Sequence, residues 1–180
     1  MTFPLISAQY SDLPQGFAGL SQRGRELVQV AIDMHRLFLQ DGDLMTPVYL
    51  IEHDQCLAGV VVDASSEEAR DYSVADAKQA ASTLGAEFVV FLAVTWELPE
   101  AQHHKADAIL ATHASIKKYP GAEHRALVNL ETRHGRYFAM APVLPCEHSK
   151  TRKKLGPVVW KSGDGTNGIF AGILPLSNMH

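Results

Sequence analysis

The sequence is poor in the features that mark secreted, membrane and disulfide-bonded proteins. Its 180 residues include two cysteines, Cys56 and Cys146, which are too few for a disulfide framework. No stretch approaches the roughly 18 uncharged apolar residues that a membrane-spanning helix requires. Residues 1–10 lack the cationic start and the long apolar run of a secretory signal. We therefore expect a cytoplasmic protein.

The sequence also lacks the strongest catalytic signatures. It contains no Gly-x-Ser-x-Gly elbow and no Gly-x-Gly-x-x-Gly that opens a helix. The glycine-rich segment 163–168 has no Gly-Lys-Ser/Thr ending, so we interpret it as the tip of a hairpin. We expect no resident metal or cofactor, and our first interpretation is a non-enzymatic binding or accessory protein that acts through a protein partner.

The composition predicts one globular domain. Apolar residues make up 46% of the chain and charged residues 20%, which is typical of a folded protein with a single core. Proline and glycine in residues 1–20 indicate an irregular N-terminal arm. We expect the core domain to cover residues 21–145, and residues 146–180 to add a basic linker and a C-terminal hairpin to the same domain.

Hydrophobic periodicity predicts three helices and several hairpins. An apolar stripe at helical spacing follows Ser21, and Ser73 resembles the start of a capping box. The run from Phe88 to Val94 has no polar residue before Thr95, which is typical of a central strand buried on both faces. The predicted helices cover residues 22–40, 73–85 and 100–118, and the predicted strands cover 46–51, 57–62, 88–94, 126–131, 137–143, 157–160 and 169–173. This order predicts an α+β fold with a mixed or mainly antiparallel sheet.

The charge is distributed unevenly along the chain. Residues 1–100 contain 5 Lys/Arg and 15 Asp/Glu, whereas residues 101–180 contain 11 Lys/Arg and 5 Asp/Glu, so the net charges are −10 and +6. This asymmetry indicates either a basic face for an anionic partner or two parts of one domain that attract each other.

A basic run near the C-terminus leaves nucleic acid open as a partner. Four cations lie within five residues, and an aromatic side chain follows them; the candidate binding residues are Lys150, Arg152, Lys153, Lys154 and Trp160. Lysine and arginine neutralise phosphates, and an indole ring stacks on unpaired bases. The same run also fits a solvated linker.

Acidic and histidine residues around the third helix leave an enzyme open as the rival class. A metal-assisted hydrolase or nuclease would draw on His103, His104, Asp107, His124 and Glu97. On a regular helix, His103 and His104 each lie close enough to Asp107 to share an ion with it. His113 instead falls on the apolar stripe, so we expect it to be buried and the other two histidines to be exposed.

The middle of the chain resembles a widespread set of small uncharacterised prokaryotic and phage-encoded proteins. The matching residues are Leu44-Met45-Thr46-Pro47, Leu84-Gly85-Ala86-Glu87, Val94-Thr95-Trp96-Glu97 and the segment from Tyr119-Pro120 through Arg125 to Val128. The resemblance covers about residues 45–143. Such proteins place a glutamate two residues before the tryptophan, whereas Val94 occupies that position here. The resemblance implies a phage, plasmid or genomic-island setting and implies no activity.

Overall fold

The computed structural model describes residues 20–162 and 172–174, with the side chains of 161 and 162 left aside. Within this part of the chain, one antiparallel sheet packs between helices, which confirms the α+β fold. The elements are α1 (Gln22–Asp41), β1 (Val48–His53), β2 (Cys56–Val61), α2 (Glu67–Leu84), β3 (Phe88–Glu97), α3 (Ala106–His113), β4 (Glu123–Thr132), β5 (Gly135–Pro145), β6 (Lys153–Leu155) and β7 (Val159–Ser162).

The strands form a sheet in the order β2-β1-β3-β4-β5-β6, and every neighbouring pair is antiparallel. Strand β7 pairs with the first half of β5, and β6 pairs with its last residues. Two short hairpins, β1–β2 and β4–β5, account for four of these strands, because antiparallel neighbours need only a tight turn. The predicted last hairpin, 157–160 with 169–173, falls mostly outside the described residues.

Strand β3 is the centre of the sheet, as its apolar sequence predicts. Its first six residues are buried. Val90 and Leu92 face a core cluster under α1, whereas Val89 and Phe91 face a second cluster under α2. We call these two sides of the sheet the α1 face and the α2 face. Side chains on both faces of β3 are therefore buried, which explains why its apolar residues are consecutive and do not alternate with polar ones.

Helix α1 has the predicted ends. The Ser21 Oγ accepts a hydrogen bond from the Gly24 amide at 3.2 Å, which satisfies one free donor of the first turn. Gly42 ends the helix with φ 93°, in the left-handed region that glycine tolerates best. In the described residues, no helix is long and apolar enough to cross a membrane.

The predicted start of α2 at Ser73 is wrong. The helix begins at Glu67, and the Ser66 Oγ caps it by accepting from the Ala69 amide at 3.0 Å. Ser73 lies inside the helix and is buried; its Oγ donates to the Ala69 carbonyl and accepts from the Asp63 amide. Both serines have an acidic residue within the next three positions, and only Ser66 is a cap.

The predicted helix over residues 100–118 is broken into three pieces. A 3-10 turn over Glu100–Lys105 precedes α3, and a second over Ile116–Lys118 follows it. Ala114 separates α3 from the second turn with φ 62°. His103 and His104 are exposed, as predicted, but His113 is only half-buried and packs edge-on against Tyr119. Because α3 ends at His113, this side chain lies at a helix end and not within a continuous buried stripe.

Candidate binding surfaces

Strand β2 forms one edge of the sheet in the described part of the chain. It is joined to β1 by Asp54 and Gln55, which have φ of 45° and 67°, as in a two-residue hairpin turn. The turn places His53 opposite Cys56. At the other end of the hairpin, the Val62 amide donates to the Pro47 carbonyl at 2.8 Å.

These two ends fix which backbone groups of β2 point outward. In an antiparallel ladder, hydrogen-bonded and non-hydrogen-bonded pairs alternate. Because His53–Cys56 and Pro47–Val62 are bonded pairs, the amides and carbonyls of residues 56, 58, 60 and 62 point towards β1. Those of Leu57, Gly59 and Val61 therefore point away from the sheet. Three residues of β2 present backbone donors and acceptors along an open edge.

The side chains of the same residues form an apolar rim. Leu57 is 49% exposed and Val61 is 65% exposed, and both project to the α1 face. Val61 is paired with Val48, which packs against that core cluster, and Leu57 is paired with Glu52. A Cβ added at Gly59 would meet no heavy atom within 4 Å. The strand contains no charged residue or proline, although edge strands of monomeric proteins are usually protected by such residues.

Helix α1 carries a separate exposed apolar stripe on the α1 face. Arg23 lies on the side of α1 that contacts β1, since its Nε is 2.9 Å from the Glu52 Oε1. Val30, Met34 and Leu37 follow Arg23 on the same stripe at helical spacing. Leu37 is 53% exposed. We call the open edge of β2, with the exposed side chains of Leu57 and Val61, the edge surface.

The edge surface is bordered by acidic residues. Asp54 lies at one end of β2 and Asp63 follows the other end, and both are exposed. Hydrogen bonds from Ser65 lower the pKa of Asp63, so this carboxylate stays ionised at neutral pH. Four more acids follow on α2, which packs on β1 and β2 from the other side: Glu67, Glu68, Asp71 and Asp76. Their neighbouring cation, Arg70, is paired with Glu67 and Asp71.

A second surface lies at the C-terminal end of β3, around Trp96. Trp96 on β3 and His124 on β4 are paired in register, and their ring centroids are 3.7 Å apart. Both side chains are half-buried. They lie on the α1 face, because alternate residues of β3 project to the same side as Val90 and Leu92.

Two lysines act electrostatically on the imidazole of this pair. Lys153 projects from β6 on the same face, two residues before Leu155, which packs with the α1-face cluster. Lys117 belongs to the 3-10 turn that contacts β3. Burial and the charges of Lys153 and Lys117 lower the pKa of His124, so its imidazole is neutral at pH 7. We call Trp96, Lys117, His124 and Lys153 the basic corner.

The basic run at 150–154 is divided by the structure. Thr151 packs against the end of α1, since a Cβ at Gly42 would lie 3.3 Å from the Thr151 Cβ. Lys153 and Lys154 belong to β6 and project to opposite faces of the sheet. Lys150 and Arg152 lie in the exposed turn before β6. Part of the run therefore packs against α1, and one of its four cations, Lys153, belongs to the basic corner.

Trp160, the predicted stacking residue, lies elsewhere. It projects from β7 and packs partly against the α1-face core. The aromatic residue that stacks on His124 in the basic corner is instead Trp96, which the sequence pattern did not connect with the basic run. No local signal could have made this connection, because it depends on the pairing of β3 with β4 and on the position of β6.

The candidate enzyme residues are not brought together. Glu97 lies on the α2 face, where the Arg125 Nε donates to its Oε2 at 2.6 Å. His124 lies on the α1 face of the same pair of strands. His103 is hydrogen-bonded through Nε2 to the Leu98 carbonyl at 2.7 Å. Among the described residues, no three His, Cys, Asp or Glu side chains form a group that could hold a metal ion. His104 and Asp107 are exposed.

A buried carboxylate on the α2 face also escaped prediction. Glu131 is 1% exposed, and its two oxygens accept hydrogen bonds from the amides of Gly172 and Leu174 at 2.6 and 2.9 Å. Burial, followed by the charge of Glu131, raises the pKa of the neighbouring Tyr49 hydroxyl. Glu131 thus attaches the segment 172–174 to the sheet, and Ile173 and Leu174 complete the α2-face core.

Comparison of the chain with protein-family models, with curated proteins and with solved structures finds no match, so function is inferred from these two surfaces alone.

Proposed function

We propose that this protein is a binding protein that captures an extended segment of a partner protein on the edge surface. The observation that carries this proposal is that the backbone groups of Leu57, Gly59 and Val61 point away from the sheet with no partner among the described residues, while the Leu57 and Val61 side chains are exposed. An added strand would gain main-chain hydrogen bonds from β2 and apolar contacts along the rim. We further propose a cytoplasmic accessory role, since both cysteines are free thiols.

The charge around the edge surface defines the partner. Asp54 and Asp63 lie at the two ends of β2, and α2 adds further carboxylates. A second copy of this chain would place these acidic ends against each other if β2 paired antiparallel with itself. A partner segment with apolar residues at alternate positions and with lysine or arginine on either side would meet complementary charge. The proposed partner is therefore a basic-flanked strand of another protein.

The test compares three forms of the protein in affinity capture from host lysate, followed by reconstitution with the purified captured protein. Val61→Lys adds a charge to the open edge, and Val159→Lys is the matched control because Val159 is also exposed, at 56%, on a different strand. We expect a captured protein to bind the wild type and the control equally and to bind Val61→Lys at least tenfold more weakly. Equal binding to all three forms would exclude the edge surface.

Hydrogen exchange gives a readout that is specific to strand addition. In the free protein, the amides of Leu57, Gly59 and Val61 should exchange faster than those of Ala58 and Val60, which point to β1. Partner binding should slow the first three and leave the other two nearly unchanged. Protection of both sets alike would indicate general stabilisation. A concentration-dependent dimer that protects the same three amides would identify a second copy as the occupant and contradict the proposed partner.

A further inference from the structure

The basic corner is a second surface whose chemistry is independent of the edge surface. Its cations come from two separate parts of the chain, the turn before β4 and strand β6. Both act on the same imidazole, and burial and these lysines are the causes that displace its pKa. The corner therefore concentrates positive charge at one point on the α1 face, and an anionic ligand would reduce the repulsion between its members.

The indole ring of Trp96 indicates which class of anion fits the basic corner. Trp96 is half-buried, with its ring against the His124 imidazole, so part of the indole remains open to solvent. The imidazole Nε2 is buried and has no hydrogen-bond partner among the described residues. A ligand that carries both a phosphate and a planar ring would satisfy the lysines and cover the indole. Phosphate or sulfate alone would leave the aromatic surface unused.

The spacing of the corner fits a chain of such units. Trp96 and β6 are separated by three strand-to-strand steps, β3 to β4, β4 to β5 and β5 to β6. At about 4.8 Å a step, this distance is roughly 14 Å. A stacked single strand advances about 3.4 Å along its axis per nucleotide, so this distance corresponds to about four nucleotides. This length lies at the lower end of known single-strand binding sites.

We propose that the basic corner binds single-stranded nucleic acid, with Trp96 stacking on an unpaired base and with Lys117 and Lys153 contacting backbone phosphates. The site uses one cation of the basic run, Lys153, and replaces Trp160 by Trp96 as the stacking residue. It is separate from the edge surface, so the failure of either proposal leaves the other intact.

Tryptophan fluorescence tests the stacking contact. The variant Trp160→Phe leaves Trp96 as the single tryptophan of the chain. Titration with an oligothymidylate of about 12 nucleotides at low salt should quench Trp96, because a stacked base is in direct contact with the indole. Anisotropy of the labelled oligonucleotide with the wild-type protein gives a second measurement that does not depend on the folding of Trp160→Phe. Binding without a change in Trp96 fluorescence would overturn the stacking contact.

Salt dependence tests the phosphate contacts. Each phosphate neutralised on a single strand contributes about 0.7 to the slope of log affinity against log salt. The double variant Lys117→Ala/Lys153→Ala should therefore reduce the slope by about 1.4 and weaken binding at least tenfold at 50 mM salt. Lys78→Ala removes an exposed lysine on α2, away from the corner, and should leave both quantities unchanged.

Three results would reject the proposal. The first is the absence of binding to the oligonucleotide at low salt. The second is equal loss of binding in Lys78→Ala and in the double variant, which would indicate diffuse attraction to lysines anywhere on the protein surface. The third is equal affinity for a blunt duplex of the same length, since stacked and paired bases offer no free face to Trp96.

Discussion

The Arg23 Nε lies 2.9 Å from the Glu52 Oε1 and joins the first turn of α1 to strand β1. Glu52 is 2% exposed, and its Oε1 also accepts from the Gln55 amide at 3.0 Å, so the same carboxylate holds the β1–β2 turn. The contact therefore connects helix, strand and hairpin at the base of the edge surface. A buried carboxylate that loses its cation keeps its desolvation cost, which makes this pair sensitive to truncation on either side.

Arg23→Ala should lower the free energy of unfolding by about 1–3 kcal/mol, because it removes a charge-assisted hydrogen bond to a buried acceptor. This loss is smaller than the loss typical of a fully buried ion pair, because the Arg23 side chain is 39% exposed and solvent screens part of its charge. Arg25→Ala, an exposed position on the same helix, is the control and should change stability by less than about 0.5 kcal/mol. Urea denaturation of both variants measures the difference, and equal stabilities would contradict a structural role for the pair.

The pH dependence of stability should depend on His35. This residue is 1% exposed on α1, and its Nε2 lies 3.1 Å from the Leu127 carbonyl. Burial lowers its pKa in the folded protein below the ordinary value of 6.5. The unfolded chain therefore binds more protons as pH falls below 6.5, and stability must decrease in that direction. Stability is fully regained above the unfolded pKa.

His124 has the same sign of shift, so it contributes to the same acid loss of stability. Each such group adds a slope of up to about 1.4 kcal/mol per pH unit between its folded and unfolded pKa values. His35→Gln keeps a side-chain amide near the Leu127 carbonyl and cannot titrate. Chemical denaturation at pH 5, 6 and 7 should show a smaller slope in this variant than in the wild type. An unchanged slope would show that His35 protonation is not coupled to unfolding.

Local sequence signals predicted the elements that depend on neighbours in the chain. Ser21 and Gly42 mark the ends of α1 correctly because capping involves residues within one helical turn. The uninterrupted apolar run at Phe88–Val94 predicted a strand that is covered on both faces. Ser73 misled the prediction because Asp76 lies three residues after it, as in a capping box, whereas Ala69 occupies that position after Ser66. Packing decides between them, since the Ser73 Oγ bonds to the Asp63 amide, outside the helix.

The candidate surfaces depend on contacts that a single sequence does not encode visibly. Trp96 and His124 are 28 positions apart, and only the register of β3 and β4 brings their rings together. Glu131 and Leu174 are 43 positions apart, and alternation in β4 predicts only that one face is wetter than the other. The apolar residues of β2 predicted a strand. The position of β2 at the edge of the sheet is determined by α2, which leads the chain to the other side of β1, where β3 pairs.

Glu131→Gln should release the segment 172–174 from the sheet. An amide side chain retains one acceptor oxygen and turns a donor group towards the second backbone amide, so one of the two bonds is lost. Loss of a charge-assisted bond at a buried site costs about 1.5–3 kcal/mol. Faster hydrogen exchange at Gly172 and Leu174, with β3 amides unchanged, would confirm that the Glu131 carboxylate holds this segment locally. Unchanged exchange at both amides would show that Ile173 and Leu174 hold the segment by apolar packing alone.

Thr151 packs against Gly42 and so attaches the basic segment to the end of α1. Gly42 and Gly85 end their helices with φ 93° and 63°, so alanine at either position pays the left-handed backbone penalty of about 1 kcal/mol. A Cβ at Gly85 meets no heavy atom within 4 Å, whereas a Cβ at Gly42 lies 3.3 Å from the Thr151 Cβ and 3.4 Å from its carbonyl oxygen. Gly85→Ala therefore reports the backbone penalty, and any excess loss of stability in Gly42→Ala reports displacement of Thr151. We expect such an excess, together with faster exchange of the β6 amides Lys153–Leu155 in Gly42→Ala only. Equal losses of stability in Gly42→Ala and Gly85→Ala, with unchanged amide exchange in β6, would show that Thr151 moves aside without cost. The contact with α1 would then not hold the basic segment.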